Sequence, residues 1–549
     1  MDEVRARRSS DPGWQRSTVG RVLAEHAAAR PEHPFLISLD DEGNRRQLSY
    51  RDMHEASARL AAGLQAIGVG RGDRVAVWMT NSPQYVIAYF AVLRLGAVLV
   101  PINTYFGADE AGYILRSARC GHLIAADRFR HVDFSARLGR LAPEWTGSSG
   151  ALESPSLPDL RTVVLVGRDG GDGGDGDLVS LMAAGAADGG EASRPDDLAI
   201  IHYTSGSTGR AKGACLHQWG LVANGRLHDR RLGVGPADLW FTQMPLFHVG
   251  ASIWGLMSML AVGGTLVLGE TNNPVQAARA IERERCTIYN GAPAMQYDLL
   301  ASLAAAPADL SSVRFAMHRI DERLRRELWA PHGVRLFARS FGLTETYGPA
   351  LSYLQAGPSR PGDIRELGFP LDGVEVRIAD PATGADLGDG ATGEVLLRGM
   401  VTSGYFEMPE QTERAIDPGG WFHTGDLAVR RPDGSHYFVG RIKLMLKVGG
   451  ENVAIEEVEQ VLGEVDGVRE VCVVGMSDER LGEVPVAFIS PVTGAHLDVE
   501  LVRADLAGRL AHFKVPRRFV VLPRLPATGT GKVDRSALER LALAGEDSR

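Results

Sequence analysis

Cysteine is scarce in this chain, with four residues among 549 and no pair at a spacing typical of metal ligands. That scarcity excludes a fold held together by many disulfides and a cysteine-rich metal centre. Three of the four thiols lie beside apolar or small residues, where a free thiol packs well; the cysteines are Cys120, Cys215, Cys286 and Cys472. We therefore expect a reduced, intracellular protein.

Long apolar runs and an excess of positive charge are also absent. No stretch approaches about 18 uninterrupted apolar residues, and residues 1–17 carry charges without the apolar segment of a signal peptide. We expect neither export nor a membrane span, and a cytoplasmic location. The 59 Lys and Arg are outnumbered by 68 Asp and Glu, for a formal net charge of −9, so no nucleic-acid partner is expected.

A Walker-type phosphate loop is missing as well, because Lys212 is followed by Gly213 rather than by Ser or Thr. Residues 203–213 nevertheless read YTSGSTGRAKG, directly after an apolar run, 198–203, that predicts a strand. Glycines let backbone N–H groups face a ligand, the hydroxyls add donors, and Lys212 adds a positive charge. The segment predicts a phosphate-binding loop, and its density of these residue types disfavours an ordinary surface loop.

The length and the order of periodic segments predict the fold. A chain of 549 residues is too long for one core, and 44% hydrophobic with 23% charged residues is typical of globular proteins. Apolar spacing predicts helices over 18–29, 50–67 and 84–95, alternating with strands over 34–38, 74–79 and 98–101. This alternation indicates parallel sheets. Because ligands bind at the carboxyl ends of such strands, the loops after Tyr203, Asn290 and Arg339 are candidates for one site.

Later segments differ in composition and in predicted secondary structure. Residues 167–190 are rich in Gly, Asp and Ala and predict a solvated surface excursion rather than a calcium-binding repeat, which needs many copies. Short strands and turns follow residue 372, including a hairpin around 432–434, and a compact α+β pattern follows residue 440. We predict an α/β protein with a large N-terminal domain, 1–440, of parallel and mixed sheets covered by helices plus a β-rich subdomain. A small α+β domain, 441–549, would complete the chain.

Six segments in order carry a resemblance over about residues 18–543: YTSGSTGRAKG at 203, PLFHVG at 245, SFGLTET at 340, GWFHTGD at 420, GRIKLMLKVGGENV at 440 and PATGTGKVDR at 526. The sequence resembles the superfamily of acyl-CoA synthetases, nonribosomal-peptide adenylation domains and luciferases. The resemblance implies a mobile C-terminal domain and an active site between the domains. It also implies that ATP and a carboxylic acid form an acyl-adenylate and pyrophosphate, after which the small domain rotates and a thiol, usually of CoA, captures the acyl group.

The resemblance assigns phosphate and metal roles to particular residues. Thr344 would donate a hydrogen bond to the α-phosphate, and Glu345 would ligate Mg²⁺, which prefers oxygen ligands. Without the motif, Glu345 would be an ordinary acidic residue at a turn. The loop that holds the β- and γ-phosphates would comprise Thr204, Ser205, Gly206, Ser207, Thr208, Gly209 and Lys212.

Further nucleotide and transfer roles follow from the same resemblance. Phe341, where relatives commonly have Tyr, would stack on adenine; Asp426 would bind both ribose hydroxyls, and Arg441 would reach nucleotide oxygens. Lys532 would bridge the attacking carboxylate and the phosphate, against the alternative of an exposed lysine in a polar loop. Lys443 would occupy the hinge position. It is followed by Leu444 where relatives commonly have Asp, and an apolar side chain there would change how the rotated pose for thiol transfer is stabilised. The loop lining the pantetheine tunnel would contain Gly449 and Gly450.

The acid-binding positions depart from the family pattern. Where relatives usually have small residues after the strand 313–316, this chain has Met317, His318 and Arg319. Three large side chains fill space that a long acyl chain needs, which predicts a short, aromatic or polar acid. His318 or Arg319 could pair with a second anionic group, or Arg319 could face solvent. His248 is typical of acyl- and aryl-activating members, with a buried structural His as the alternative, and Gly342 is assigned to the same pocket.

The favoured function is therefore a stand-alone acyl-CoA ligase that uses ATP, Mg²⁺ and CoA. Alternatives are a ligase that loads a carrier protein, and an enzyme that activates an unusual acid, nitrite included, for a nitrogen nucleophile to form diazo groups. A non-catalytic nucleotide-binding protein is disfavoured because four functional positions are intact: Lys212, Glu345, Asp426 and Lys532. The sequence predicts no particular oligomeric state.

Overall fold

The computed structural model describes residues 17–130, 132–167, 176–185, 191–204, 211–317, 320, 323–356, 365–448, 451–478, 481–492, 497–528 and 532–544. Contacts divide the chain into two compact units. Unit 1 comprises Met1–Glu375 and Leu397–Phe422, and unit 2 comprises Val376–Leu396 and His423–Arg549. The domain boundary at residue 440 stays a prediction.

Unit 1 is built on mainly parallel sheets. Its strands are β1 (Pro34–Leu39), β2 (Arg45–Ser49), β3 (Arg74–Trp78), β4 (Val98–Pro101), β5 (His122–Ala126), β6 (Arg128–Phe129), β7 (Val132–Asp133), β8 (Gly150–Ala151), β9 (Thr162–Val166), β10 (Leu198–Thr204), β11 (Lys212–His217), β12 (Leu239–Thr242), β13 (Thr265–Gly269), β14 (Ile288–Asn290), β15 (Phe315–Met317), β16 (Leu336–Leu343), β17 (Gly348–Ala356) and β18 (Glu366–Pro370).

These strands pair in two long series. One series follows the order β18-β17-β16-β15-β14-β12-β13-β1-β2, and the other follows β11-β10-β4-β3-β5-β9-β8. Neighbours from β1 through β16 in the first series are parallel, and β2, β17 and β18 pair antiparallel at its ends. In the second series β10, β4, β3, β5 and β9 are parallel, and β8 and β11 are antiparallel. The carboxyl ends of the parallel strands in each series therefore lie along one edge.

Helices cover these sheets. They are α1 (Val19–Ala29), α2 (Tyr50–Ala66), α3 (Pro83–Arg94), α4 (Ala108–Ser117), α5 (Phe134–Leu141), α6 (Gly176–Ala184), α7 (Gln218–Leu232), α8 (Val249–Ala251), α9 (Ser258–Val262), α10 (Pro274–Glu284), α11 (Pro293–Ala305) and α12 (Pro409–Ala415). A π-helical turn, Ser252–Met257, joins α8 to α9. At α2, Ser49 and Asp52 form a reciprocal capping box, which fixes where the helix begins. The alternation of helices and strands confirms the predicted α/β class.

The expectation of a solvated excursion over 167–190 is wrong for its central part. Residues 176–184 form α6, and Leu178 is 1% exposed. This helix packs on α2, where a Cβ atom at Gly63 would lie 2.3 Å from the carbonyl oxygen of Leu181. Between the glycine-rich flanks lies a short stretch, LVSLM, and packing of its apolar side chains against α2 is enough to order a helix. Residues 168–175 and 186–190 lie outside the described residues.

Unit 2 contains most of β19 (Glu375–Ala379), β20 (Thr392–Arg398) and β21 (Phe422–Arg430), each of which has one end in unit 1. It contains the whole of β22 (His436–Arg441), β23 (Met445–Val448), β24 (Glu451–Ala454), β25 (Val468–Asp478), β26 (Gly482–Pro491) and β27 (Arg518–Val521). The order β19-β20-β21-β22 forms one group, and β24-β23-β26-β25 with β27 beside β26 forms the other. The predicted hairpin is confirmed as β21 and β22, with Gly434 at a φ of 84° in its turn. The helices are α13 (Ile455–Gly463), α14 (Val499–Arg509) and α15 (Arg535–Ala544).

None of the described helices combines the length and apolar character needed to cross a bilayer.

Candidate active site

The ends of the predicted phosphate loop lie side by side. Thr204 ends β10 and Lys212 begins β11, and the two residues are antiparallel partners. Helix α4 holds both ends, since the Tyr113 hydroxyl donates to the carbonyl of Ala211 at 2.9 Å and Ser117 Oγ lies 2.6 Å from Tyr203 Oη. The intervening predicted residues, Ser205, Gly206, Ser207, Thr208 and Gly209, lie outside the described residues.

Glu345 is joined to Lys212 through a tyrosine. Glu345 lies in a 3₁₀ turn, Thr344–Thr346, directly after β16, and is 8% exposed. The Tyr405 hydroxyl donates to Glu345 Oε1 at 2.9 Å, and Lys212 Nζ lies 5.1 Å from the centre of the Tyr405 ring. Burial, and then the negative charge of Glu345, raise the pKa of Tyr405, so its hydroxyl keeps the proton that it donates.

Sequence reasoning missed Tyr405. Its segment pairs with β11, because Phe406 N donates to the carbonyl of Gly213 and Cys215 N donates to the carbonyl of Gly404. No local pattern around residue 405 indicates this, since the pairing partner is remote in sequence. The glycine before Tyr405 indicates only a turn.

The turn that presents Thr344 and Glu345 is tightly packed. A Cβ atom at Gly342 would lie 1.8 Å from the carbonyl oxygen of Gly348, so only glycine fits where the chain folds back. Thr346 Oγ1 accepts from Leu343 N at 2.8 Å and donates to the carbonyl of Gly348 at 2.6 Å. These contacts fix the backbone on which the predicted phosphate and metal groups stand.

One strand runs further than expected. The sequence predicts a site loop directly after Arg339, but β16 continues to Leu343 and the turn begins at Thr344. Arg339 is buried and donates to the carbonyl of Ile320 at 3.1 Å. That prediction is wrong because hydrogen bonds with β17 extend the strand beyond its apolar run.

The predicted acid-binding positions fall on one side of the parallel strands. Ala316 and Phe337 are partners in β15 and β16 and belong to an apolar cluster on one face. Because side chains alternate along a strand, Met317 and Ser340 lie on the opposite face. Met317 is fully buried there. His318 and Arg319 lie outside the described residues.

His248 lies at the entrance to the helical segment that starts with α8. Its ring is 4.6 Å from that of Phe247, and its carbonyl accepts from Ser252 N at 3.0 Å. Two residues later, the carbonyl of Gly250 accepts from Asn290 Nδ2 at 2.8 Å, which ties this segment to the end of β14. The His248 segment therefore adjoins the strand ends next to Met317. Phe341 is 9% exposed and points to the face opposite Ser340.

Unit 2 brings together the predicted ribose and phosphate groups. Asp426 and Arg441 are partners in the β21–β22 hairpin, and Arg441 Nε donates to Asp426 Oδ1 at 2.8 Å. Lys532 has an exposed side chain, and partial desolvation together with the positive charge of Arg441 lowers its pKa. Arg441 therefore lies near both of the other predicted groups of unit 2, Asp426 and Lys532.

The predicted hinge residues lie in a 3₁₀ turn, Ile442–Leu444. Lys443 is exposed, whereas Leu444 packs against the apolar cluster of unit 2 that contains Val458 and Leu462. The Leu that replaces the common Asp therefore contributes to the core of this unit. Gly449 and Gly450 lie outside the described residues.

The donor set around Glu345 suits magnesium. Over the described ranges, no group of three or more His, Cys, Asp or Glu side chains could hold a metal unaided. Mg²⁺ is commonly held by one or two carboxylates together with substrate phosphates and water. A single buried carboxylate near a phosphate-loop lysine fits that pattern, and a closed protein cage for zinc does not arise here.

Comparisons with known proteins show the family to which the chain belongs. A model of the AMP-binding enzyme family matches residues 23–406, and a model of its C-terminal domain matches residues 457–532. The chain belongs to the AMP-binding enzyme family, which confirms the resemblance drawn from the motifs. It is an acid–thiol ligase of the AMP-forming acyl-CoA synthetase type.

Individual relatives extend over nearly the whole chain. A 3-[(3aS,4S,7aS)-7a-methyl-1,5-dioxo-octahydro-1H-inden-4-yl]propanoyl:CoA ligase from Mycobacterium tuberculosis is 36% identical, covering 95% of this chain and 99% of the relative. A mitochondrial medium-chain acyl-CoA ligase from Danio rerio is 32% identical, over 96% and 89%. The crystal structure of an anthranilate CoA ligase with anthranoyl-AMP has a TM-score of 0.83 at 26% identity, covering 97% of this chain and 98% of that one.

Proposed function

We propose that this enzyme uses ATP to convert a short, aromatic or polar carboxylic acid to its acyl-adenylate, releases pyrophosphate and transfers the acyl group to CoA. The observation that carries the proposal is the continuous contact from Lys212 through Tyr405 to Glu345. It links a cation at the phosphate loop to a carboxylate that can hold a metal. Enzymes that join an anion to a nucleotide need both groups fixed in advance.

Adenylation requires a carboxylate to approach an anionic phosphorus. Lys212 would offset the charge of the β- and γ-phosphates, and Thr344 would donate to the α-phosphate as charge develops there. When bound at Glu345, Mg²⁺ would neutralise charge on phosphate oxygens. Lys532 would then orient the attacking carboxylate toward the α-phosphate.

The remaining predicted roles complete the nucleotide site. Phe341 would stack on adenine, and Asp426 would accept hydrogen bonds from the ribose hydroxyls. Arg441 would bind nucleotide oxygens. For CoA transfer, Lys443 would serve as the hinge, and the loop with Gly449 and Gly450 would admit the pantetheine arm.

The proposed size limit on the acid rests on Met317. This side chain is fully buried on the same strand face as Ser340. It therefore fills space beside the His248 segment that a long acyl chain would need. The anthranilate ligase acts on a compact aromatic acid, and the mycobacterial ligase on a bicyclic propanoate. Both names fit a pocket that is wide or polar rather than long, whereas the name of the medium-chain ligase from Danio rerio favours a longer acid, so medium-chain acids belong in the test.

The test is an acid-dependent ATP–pyrophosphate exchange screen with short, medium-chain, long-chain, aromatic and dicarboxylic acids, with nitrite included. We expect exchange with a short, aromatic or polar acid and, after CoA is added, a product with the mass of the acyl-CoA. Robust exchange with palmitate would contradict the size limit. A product formed only with a phosphopantetheinyl carrier protein, or only from nitrite and an amine, would replace CoA transfer by one of the alternatives.

Met317→Ala tests the size limit within one chain. Removing this side chain should raise kcat/KM for acids two to four carbons longer by about 10-fold or more, since each methylene accommodated in a pocket changes it by about that factor. The matched control is Met53→Ala, which truncates a fully buried Met in α2. If both variants shift the chain-length profile equally, Met317 does not limit the acid.

A further inference from the structure

A buried polar cluster lies on the sheet face that carries Met317. Tyr289 and Ala316 are partners and belong to the apolar cluster on the opposite face, so the next residues, Asn290 and Met317, share the Met317 face. Ser340 lies on the same face of β16. This face therefore presents an amide and a hydroxyl beside Met317.

Helix α7 adds a histidine to this cluster. His228 is fully buried, and its Nε2 lies 3.0 Å from Ser340 Oγ, which in turn lies 2.9 Å from Ser352 Oγ. The series ends where Ser352 Oγ donates to the carbonyl of Arg339 at 2.9 Å. Burial lowers the pKa of His228 to about 3, so the imidazole is neutral and offers one donor and one acceptor nitrogen.

Two atoms of the cluster have spare hydrogen-bonding capacity. Within the described part of the chain, His228 Nδ1 and Asn290 Oδ1 have no hydrogen-bond partner, and both side chains are fully buried. Asn290 uses its amide nitrogen to hold the carbonyl of Gly250, which leaves the oxygen as an acceptor. Buried polar groups are almost always paired, so unpaired ones indicate a missing partner.

The location of these atoms indicates what the partner is. Asn290 ends β14 and is tied to the segment that His248 begins, and Ser340 lies four residues before Thr344 on β16. The cluster therefore lies beside the predicted acid-binding residues and not in a remote part of unit 1. A small molecule that enters next to Met317 would meet it.

We propose that the acid carries a hydroxyl or amino substituent away from its carboxylate, and that Asn290, Ser340 and His228 form the subsite that recognises it. The inference rests on the proposed function, because it assigns a substrate class to the same site. A substituent with an N–H or O–H group donates to Asn290 Oδ1 or to His228 Nδ1. Nδ1 is an acceptor because Ser352 donates to the Arg339 carbonyl, Ser340 then donates to Ser352, and His228 Nε2 donates to Ser340. An unsubstituted acid leaves these buried groups unpaired, which a site of this kind penalises strongly.

The test compares matched acids in acid-dependent ATP–pyrophosphate exchange. Benzoate is set against its three monohydroxy and three monoamino isomers, and butyrate against its hydroxy isomers. With the unmodified enzyme, at least one substituted acid should exceed its parent in kcat/KM by about 10-fold or more. If every ratio is near one while exchange is readily measured, the inference is wrong and the proposed function stands. If no acid supports exchange, the proposed function itself fails.

Variants assign the preference to the cluster. Asn290→Leu and Ser340→Ala should each reduce the ratio of kcat/KM for the substituted acid to kcat/KM for its parent acid toward one. Ser340→Ala is the smaller change and keeps the test valid if Asn290→Leu fails to fold. Tyr50→Phe is the control, because it removes a buried hydroxyl that donates to Met259 and Gly264 carbonyls. The assignment would be overturned if the ratio of kcat/KM for substituted to parent acid fell equally in Tyr50→Phe. It would also be overturned if that ratio stayed unchanged in both cluster variants.

Discussion

Tyr405 shows how a single side chain can couple two functional groups that the sequence keeps far apart. Its ring lies near the Lys212 ammonium, and its hydroxyl holds one oxygen of Glu345. A cation over an aromatic face contributes about 0.5–2 kcal/mol, and a hydrogen bond to a carboxylate about 1.5–3 kcal/mol. The two contacts can be removed separately, which makes the residue informative.

Tyr405→Phe should keep the ring contact with Lys212 and lose the anchor on Glu345. We expect the Mg²⁺ concentration needed for half-maximal pyrophosphate exchange to rise about 10- to 150-fold, with a nearly unchanged KM for ATP at saturating Mg²⁺. Tyr405→Leu should raise the KM for ATP as well, by about 2- to 20-fold, because the contact with the ammonium is then lost too. Titration of Mg²⁺ and ATP separately measures both effects.

The control for these variants is Tyr50→Phe, which should change neither titration. An unchanged Mg²⁺ requirement in Tyr405→Phe would show that Glu345 is positioned without the tyrosine. Identical behaviour of the Phe and Leu variants would show that the ring contact with Lys212 contributes nothing.

At the residue scale, the sequence predicted the groups that have motifs and missed those that depend on packing. Lys212 and Glu345 stand in patterns whose chemistry is readable without a structure. The roles proposed for Tyr405 and His228 depend on partners on other strands and helices, and nothing in their local sequence indicates those partners. The same holds for Leu444, whose apolar side chain is explained by the cluster against which it packs.

Among the elements, the turn between β16 and β17 has the strictest sequence requirement. The chain folds back so closely that Gly342 faces the carbonyl of Gly348, while Gly220 in α7 leaves room for the Tyr347 ring, 2.3 Å from where a Cβ atom would be. The turn therefore depends on two glycines from different elements. The close packing gives Thr344 and Glu345 a rigid backbone.

Gly342→Ala should strain this backbone. A methyl group 1.8 Å from a backbone oxygen forces the strands apart, which typically costs about 1–3 kcal/mol or more. We expect a fall of several degrees in the melting temperature and at least a 10-fold loss of pyrophosphate exchange. Differential scanning calorimetry and the exchange assay measure the two effects.

Gly139→Ala provides the matched control in α5, because no atom lies within 4 Å of the added methyl group. Alanine favours a helix over glycine by about 1 kcal/mol, so this variant should melt at the same or a higher temperature. Equal melting temperatures of Gly342→Ala and the unmodified protein would contradict the packing argument.

The sequence predicts helices and strands correctly where the apolar periodicity extends over many residues. It fails where tertiary contacts determine the local structure. The helices over 18–29 and 50–67 appear as α1 and α2 within one residue at each end. By contrast, the helical segment after His248 is divided by a π-helical turn, in which Gly255 passes close to Trp240, and the sequence does not indicate this turn. Helix α6 was hidden between glycine-rich flanks. Apolar spacing cannot report contacts that only the folded chain makes.

On the scale of the whole molecule, the predicted machinery is divided between the two units. Unit 1 carries Lys212, Thr344 and Glu345, whereas unit 2 carries Asp426 and Lys532. Adenylation as proposed requires contributions from both, and thiol transfer from a preformed adenylate does not require the same lysine. The two half-reactions can therefore be separated by one substitution.

The most direct measurement is acid-dependent ATP–pyrophosphate exchange by the full chain, for the unmodified enzyme and for Lys532→Ala, alongside CoA transfer from a supplied acyl-adenylate. Our account predicts exchange that requires an acid, falls about 100-fold or more in the variant, and leaves CoA transfer within a few-fold of its normal rate. An unmodified enzyme that consumes ATP with no acid offered to it, or equal losses of exchange and CoA transfer in Lys532→Ala, would contradict it.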